Sequence, residues 1–454
     1  MTDKEIIAQL LEEVRMLRAE VAALKEEIAQ LKKNSSNSSK PPSSDIVKPP
    51  KPAPADGAKR KIGGQSGHQK FARRPFEPEE VTPVICELSQ QQAQGLEVLD
   101  RWYIFQQIRL PEKRYEVIEY RARVYYDCRT GRTFHAPLPD GVREGGLLAA
   151  DITALVAFLK GACHASYTTI EQFFDQVLHL DISRSLLCKA TQKASVALAD
   201  CHKQLLDRLR QEPQVGVDET GHHDNGKLHW TWCFQTRDYS LFYIADCRGS
   251  EVLTKVLGKD FAGIVGCDYW AAYRKYARLF DVRMQYCMAH LIREIRFITE
   301  HRYRHIAGWA DSLLCWLKKL FKTLHRKSDY LEQSFQWRMR HIKEHFLAIV
   351  RIPPDHKPAK LLAKRFEGDR AEDYFRFMAE PAVEPTNNDT ERAVRHTVID
   401  RRITQGTRGD GGMRWCERIW TTIATCKKQR RNVFDFIHQA ILARWTKQPC
   451  PQLL

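Results

Sequence analysis

Three acids offer the clearest chemistry in this sequence. Asp218 closes the short apolar run "QVGVDET", and Asp268 closes "FAGIVGCD". Both runs have the composition of buried strands, and sites in α/β sheets form at strand ends. If the two strands lie side by side, both carboxylates share one edge. Glu391, in "NNDTERAVR", supplies a third acid on a stretch of helical character. A set of oxygens like this suits Mg²⁺, which takes a few carboxylates and keeps waters for phosphates. Two such ions about 4 Å apart activate an attacking oxygen and stabilise a leaving one in phosphodiester transfer. Each acid also has a purely structural reading. Asp218 can end a strand at a turn, and Asp268 can cap a helix beginning near Trp270. Asn388 and Glu391 have the spacing of a capping box.

Other clusters point less clearly to chemistry. His222, His223, Asp224 and His229 surround the turn signal Asp224-Asn225-Gly226 and fit a decorated hairpin tip. Cys287 and His290, in "CMAH", share one helix face with no further ligand in view. Cys86, Cys128 and His135 lack partners at zinc-ligand spacing and read as structural. No P-loop, GxSxG or dinucleotide fingerprint occurs.

The elements that would hold the acids run from Gln214 onward. "QVGVDET", "KLHWTWCFQT" and "SLFYIAD" read as strands, followed by helix, strand, helix and strand, then the long helix "MAHLIREIRFITEH". Three strands, helix, strand, helix, strand is the order of the ribonuclease-H-like fold. Upstream, Gly146 to Gln211 reads as helical. "SYTTIEQFFDQVL", the break "HLD" and a helix from "ISRSLL" to "LLDRL" form a candidate helix-turn-helix, with Arg184 and Lys189 as its expected DNA contacts. From about Glu80 to Leu138, alternating segments such as "RYEVIEYRARVYYDC" read as strands of a half-buried sheet.

The N-terminus carries a dimer signal. Ile7, Leu10, Val14, Leu17, Val21, Leu24, Ile28 and Leu31 follow a heptad, β-branched at every a position and Leu at every d. That choice favours a parallel two-stranded coil. Glu13, Glu20 and Glu27 at g face Arg18, Lys25 and Lys32 at e′, opposite in charge. After Lys33 the chain becomes a basic Ser/Pro/Gly/Lys linker with almost nothing apolar to bury.

Composition narrows the partner. The 454 residues carry a formal charge of +16, and 43% are hydrophobic, enough for real cores. From Arg392 to Arg431 there are 11 Lys/Arg against 3 Asp/Glu, so half the surplus, +8, sits in one stretch. Nucleic acid is the expected partner of such a stretch, and a solvated helical face is the plain alternative. The mean hydropathy of −0.49 and the lack of any long apolar run exclude a membrane span. With no signal peptide and 13 scattered cysteines without a CxxC, a cytoplasmic protein with reduced thiols is expected.

Six features in order resemble the insertion-sequence-66-type transposases of the TnpC type. They are the heptad opening, "NSSNSSKPPSSD", "GGQSGH", "VDET", "CDYWAAY" followed by "CMAH", and "NNDTERAVR" followed by "RRITQG". The resemblance implies a multidomain α/β protein whose DDE-type catalytic core is ribonuclease-H-like. The expected layout is a coiled-coil helix over 1–33, a flexible basic linker over 34–78, and a small β-rich module over 79–145, a degenerate zinc ribbon. A helix-turn-helix-like region follows over 146–212, then the core's first part over 213–300, a helical insertion over 301–380, and the catalytic Glu helix with basic C-terminal helices over 381–454. The family's catalytic and metal-binding positions fall on Asp218, Asp268 and Glu391. Its cofactor is Mg²⁺, as two ions, or Mn²⁺. Where family members carry paired zinc-binding cysteines, only Cys86 and Cys128 stand here, which leaves zinc in doubt. Arg392 and Arg395, with Arg401 and Arg402, are the expected contacts to DNA phosphates beside the metals. Implied partners are transposon ends, target DNA, a second copy through the coil, and small accessory proteins. The competing readings are an inactive DNA-binding repressor derived from such an element, and a nuclease of the same fold without strand transfer.

Overall fold

A computed structural model describes residues 3–31, 76–92, 94, 104 and 106–454. The Ser/Pro tract, "GGQSGH" and most of the linker lie outside the described residues. By internal contacts the chain divides into one unit of 1–49 with 122–454 and a second of 50–121.

Helix α1 (Asp3–Leu31) opens the chain. Seven of its eight heptad positions have described side chains, and all seven are exposed, from Val14 at 43% to Leu17 at 59%. Among the described residues, nothing buries this apolar stripe. The strand-rich region expected over 80–138 differs. In the second unit, the described residues form a 3₁₀ turn at Pro78–Glu80 and no strand. Ile108, Val117 and Ile118 are 74%, 73% and 59% exposed. Alternation alone does not make a sheet when no opposing layer buries the apolar face. Among the described residues of 80–138 the strands are β1 (Val124–Asp127) and β2 (Arg132–His135), a hairpin closed by Asp127, whose carboxylate accepts from Arg129 N and Thr130 Oγ1 at 2.8 Å each.

Four helices follow: α2 (Ala150–Gly161), α3 (Tyr167–Leu178), α4 (Arg184–Ala197) and α5 (Ala199–Leu209). Ser166 caps α3 by accepting from Thr169 N, and His179 ends it in the left-handed conformation. Val156, Ile170, Phe174, Leu187 and Ala190 form a small core among α2, α3 and α4. The helix expected from Ile182 to Leu209 is broken at Leu198, where Ala190, Ala194 and Ala197 on one piece and Cys201 and Leu205 on the next serve different packing directions.

The central sheet contains β3 (Gln214–Asp224), β4 (Lys227–Gln235), β5 (Ser240–Ala245), β6 (Ile264–Cys267) and β7 (Arg283–Tyr286). Its order is β5-β4-β3-β6-β7, with β6 and β7 parallel to β3 and β4 antiparallel. The β3–β4 turn holds Asn225 and Gly226 at φ +48° and +78°, the left-handed pair that a two-residue hairpin requires. Helices α6 (Ser250–Leu257) and α7 (Ala271–Phe280) cross between the parallel strands. After β7 come α8 (Met288–Thr299), α9 (Arg304–His325), α10 (Glu332–Val350), α11 (Lys357–Ala363) and α12 (Glu372–Phe375), then α13 (Asn388–Thr404), α14 (Asp410–Lys428) and α15 (Val433–Trp445). The assembly is a mixed α/β sheet protein with a helical segment between β7 and α13. Helices α14 and α15 also pack on α2 and α4, so the upstream helices and the C-terminus share one core.

Cys201 and Cys450 form a disulfide with Cα atoms 6.5 Å apart. This corrects the expectation of reduced thiols throughout. The partners are 249 residues apart, so no local spacing announces the pair. In the helical segment, Phe346 is fully buried and meets Phe366 and Phe375 edge-on at ring distances of 5.2 and 5.8 Å. Phe346→Ala is expected to cost about 3–5 kcal/mol in urea unfolding. A loss under about 1 kcal/mol would show that this aromatic cluster does not hold the segment together.

Candidate active site

Residues of β3 alternate between two faces. Val215, Val217 and Glu219 point one way; Gly216, Asp218 and Thr220 point towards α13. In the parallel pair β3–β6, Gly216 stands opposite Gly266. Asp218 and Asp268 each lie two residues further along their own chains. Adjacent strands are about 4.8 Å apart, so the register brings the two carboxylates to one sheet edge.

Helix α13 is brought close by a glycine. A Cβ at Gly216 would stand 2.4 Å from Thr390 Oγ1 and 3.0 Å from Asn387 Oδ1. Asn387 then fastens the helix start: its Nδ2 donates to Val217 O at 2.8 Å, and its backbone N–H points to Cys287 Sγ at 3.2 Å. Its Oδ1 accepts from Thr390 Oγ1 at 2.7 Å. The helix cap is thus Asn387, not Asn388, and Glu391 closes no capping box. Instead Glu391 Oε1 lies 3.6 Å from His290 Nδ1, and Oε2 lies 3.6 Å from Arg293, both on α8.

The electrostatics show that the acids share one space. Asp218 is held well above the ordinary carboxylate range, by burial first and then by the charges of Glu219, Asp268 and Glu391. Burial pushes Asp268 up to about 7; the Glu219 charge adds to this, while the Trp270 N–H and Arg248 oppose it. Asp268 Oδ1 accepts from Trp270 N at 2.9 Å, but the cap position of α7 is Trp270 and no side chain caps that helix, so Asp268 is not its cap. Glu219, on the other face, is fully engaged: Arg248 donates at 2.7 Å and the Tyr273 hydroxyl donates to the second oxygen. Arg248 also lies over the rings of Trp230 and Trp270, at 4.7 and 4.2 Å. A buried Asp218 whose pKa is raised by neighbouring carboxylate charges, with Glu391 Oε1 buried and lacking a hydrogen-bond partner among the described residues, suits a divalent cation bound through oxygen.

The expected DNA contacts separate into groups. Arg395, Arg402 and Lys189 are exposed. Arg392 is exposed and pairs with Asp389. Arg184 bonds Glu171 at 2.7 Å across α3 and α4. Arg401 departs from expectation, since its guanidinium donates to Thr220 Oγ1 at 3.2 Å and to Gly221 O, tying α13 to β3. Nearby, Arg418 donates to Ser195 and Arg431 to Gln452 O. Part of the +8 stretch therefore holds the fold together. The histidine-rich hairpin tip is structural too: His222 bonds Thr407 at 3.0 Å, and Asp224 accepts from Thr407 at 2.7 Å and Gly409 at 2.6 Å. Sequence reasoning missed Gly216, Asn387 and Arg293. Only "CMAH" flagged α8 in advance, and the third group of that cluster, Glu391, comes from about a hundred residues downstream.

The site thus groups two acids at one sheet edge, faced by a helix that carries a third. Residues 145–415 match the model of the Transposase IS66 family, and the chain belongs to that family. Residues 3–74 match a Family of unknown function (DUF6444). The chain is also similar to "Uncharacterized protein y4qI" of Sinorhizobium fredii (strain NBRC 101917 / NGR234), 22% identical over 371 residues. That match covers 73% of this chain and 66% of the relative's length.

Proposed function

We propose that this chain is a DNA-binding transposase of an insertion sequence, of the DDE type, with a ribonuclease-H-like core that cleaves DNA at transposon ends and joins the freed 3′-OH to target DNA. The observation that carries this reading is the parallel β3–β6 register beside a buried Asp218 on which the charges of Asp268 and Glu391 converge. The sheet order, three antiparallel strands followed by two parallel ones, supports the core assignment. Asp218 and Asp268 would hold the first of two Mg²⁺ ions, or Mn²⁺, and Glu391 would complete the second site. When bound, such ions supply activation of the attacking oxygen and stabilisation of the leaving one.

The chain's own residues do the rest. Gly216 and Asn387 set the distance from Glu391 to the sheet. His290 and Arg293 hold the Glu391 side chain, and Arg248 tempers the charge around Asp268. Arg392, Arg395 and Arg402 lie on the exposed side of the Glu391 helix and would engage DNA phosphates. Arg184 and Lys189 would contact the ends through α4. The test is cleavage of a duplex carrying the element's own terminal sequence. Nicks that form in Mg²⁺ and vanish in EDTA support the reading, and nicks that are indifferent to EDTA contradict it.

The exposed stripe of α1 would pair with a second copy, bringing two protomers to two transposon ends in the cytoplasm, with small accessory proteins as further partners. Among the described residues, no helix is long and apolar enough to cross a membrane. Leu17→Asp with Leu24→Asp places charges in the heptad seam. Sedimentation of that variant is expected to show monomers where the parent chain is dimeric. An unchanged mass would move the dimer contact elsewhere.

A further inference from the structure

The entrance of α8 holds a second set of ligands. Cys287 Sγ, a ring nitrogen of His290 and a carboxylate oxygen of Glu391 all lie within 4.8 Å of one another. His290 Nδ1 and Glu391 Oε1 are buried and face each other at 3.6 Å, too far for a hydrogen bond, and neither makes one among the described residues. Leaving such atoms unpaired is costly unless something binds them. The scaffold around them is tightly laced: Cys287 N donates to Cys267 O at 2.8 Å, and Met288 N donates to Pro385 O at 2.9 Å. Elements distant in sequence thus deliver one thiol, one imidazole and one carboxylate to a single point.

This donor set differs in kind from the Asp218/Asp268 edge. Mg²⁺ takes oxygen ligands, whereas a thiolate with an imidazole selects a softer ion. Zinc binds sulfur at about 2.3 Å and imidazole at about 2.0 Å, which puts tetrahedral ligand atoms roughly 3.5 Å apart. Side-chain rotation suffices to reach that from the spacing observed. Arg293 is the opposing charge, 3.4 Å from His290 and 3.6 Å from Glu391, but it is a quarter exposed and has room to swing outward.

We propose that Cys287, His290 and Glu391 form a three-ligand Zn²⁺ site with an open fourth position. Because Glu391 also serves the Mg²⁺ site, zinc draws it towards α8 and suppresses cleavage. That regulatory consequence rests on the DDE reading; zinc binding does not.

Co²⁺ is the probe, added to the full chain in excess Mg²⁺. A thiolate-to-cobalt charge-transfer band, displaced by Zn²⁺, is expected in the parent and in Asp218→Asn, and lost in Cys287→Ser. Zn²⁺ affinity should fall at least about tenfold in His290→Ala and Glu391→Gln. A band of full intensity in Cys287→Ser overturns the proposal. If that variant does not fold, His290→Ala decides, and unchanged Zn²⁺ affinity there overturns the proposal equally. In the cleavage assay, Zn²⁺ is expected to suppress nicking in Mg²⁺, and nicking unaffected by bound Zn²⁺ removes the regulatory part. Full cleavage by Asp218→Asn would sink the DDE reading while leaving the cobalt band in place, so the two failures are distinguishable.

Discussion

Asp218→Asn, Asp268→Asn and Glu391→Gln are each expected to abolish cleavage of transposon-end DNA while leaving end binding intact. Each change keeps the side-chain shape and removes one charge from the set that would hold the metal. Loss of a ligand that stabilises transition-state charge is worth several kcal/mol, so rates should fall on the order of a thousandfold or more. The substitutions should also relieve repulsion. Asp218 sits above the ordinary carboxylate range partly because of Asp268 and Glu391. Removing either charge should lower its pKa, and without metal the variant folds should be no less stable than the parent. Carboxylate titration by NMR, beside gel-resolved cleavage, checks both halves. One variant cleaving at the parent rate would remove that residue from the site.

The second large effect comes from a residue with no side chain. Gly216→Ala would drive a Cβ to within 2.4 Å of Thr390 Oγ1 and 3.0 Å of Asn387 Oδ1. Helix α13 must then back away, taking Glu391 from the sheet edge. A misplacement near 1 Å costs on the order of a hundredfold in rate. Cleavage should fall by about that factor while circular dichroism and DNA binding persist. Adding Thr390→Ala removes the nearer clash and should recover part of the rate. Equal defects in single and double variants would mean that the strand, not the helix, had moved.

These effects also mark how far the sequence could be read. The order of strands and helices from Gln214 was legible because each run is apolar, short and bounded by turns. Asp268 was legible as a strand-end acid, but Asp218 was not, since β3 continues past it to Asp224 in the hairpin with β4; their shared edge follows from one parallel register. Glu391 was ambiguous, since "NNDTE" spells a capping box as readily as a ligand. The cap fell to Asn387, because that side chain bridges to Val217, and only tertiary contact reveals this. Gly216 gives no signal in a single sequence, since its role is a clearance measured from another element. The strands expected near "RYEVIEY" did not form in the described residues, because alternation was present without a partner layer. The basic stretch was legible as charge, but not which arginines would be spent within the fold. Arg401 and Arg418 bond backbone and side chains of the core, whereas Arg395 and Arg402 remain exposed.

The most direct measurement is a joining assay on purified full-length protein with labelled end DNA and an unlabelled target duplex. In Mg²⁺ the label is expected to move covalently into the target through a freed 3′-OH, and blocking that end with a dideoxynucleotide should stop it. Stable binding of the ends with no Mg²⁺-dependent cleavage or joining would contradict the account and leave a DNA-binding protein without catalysis.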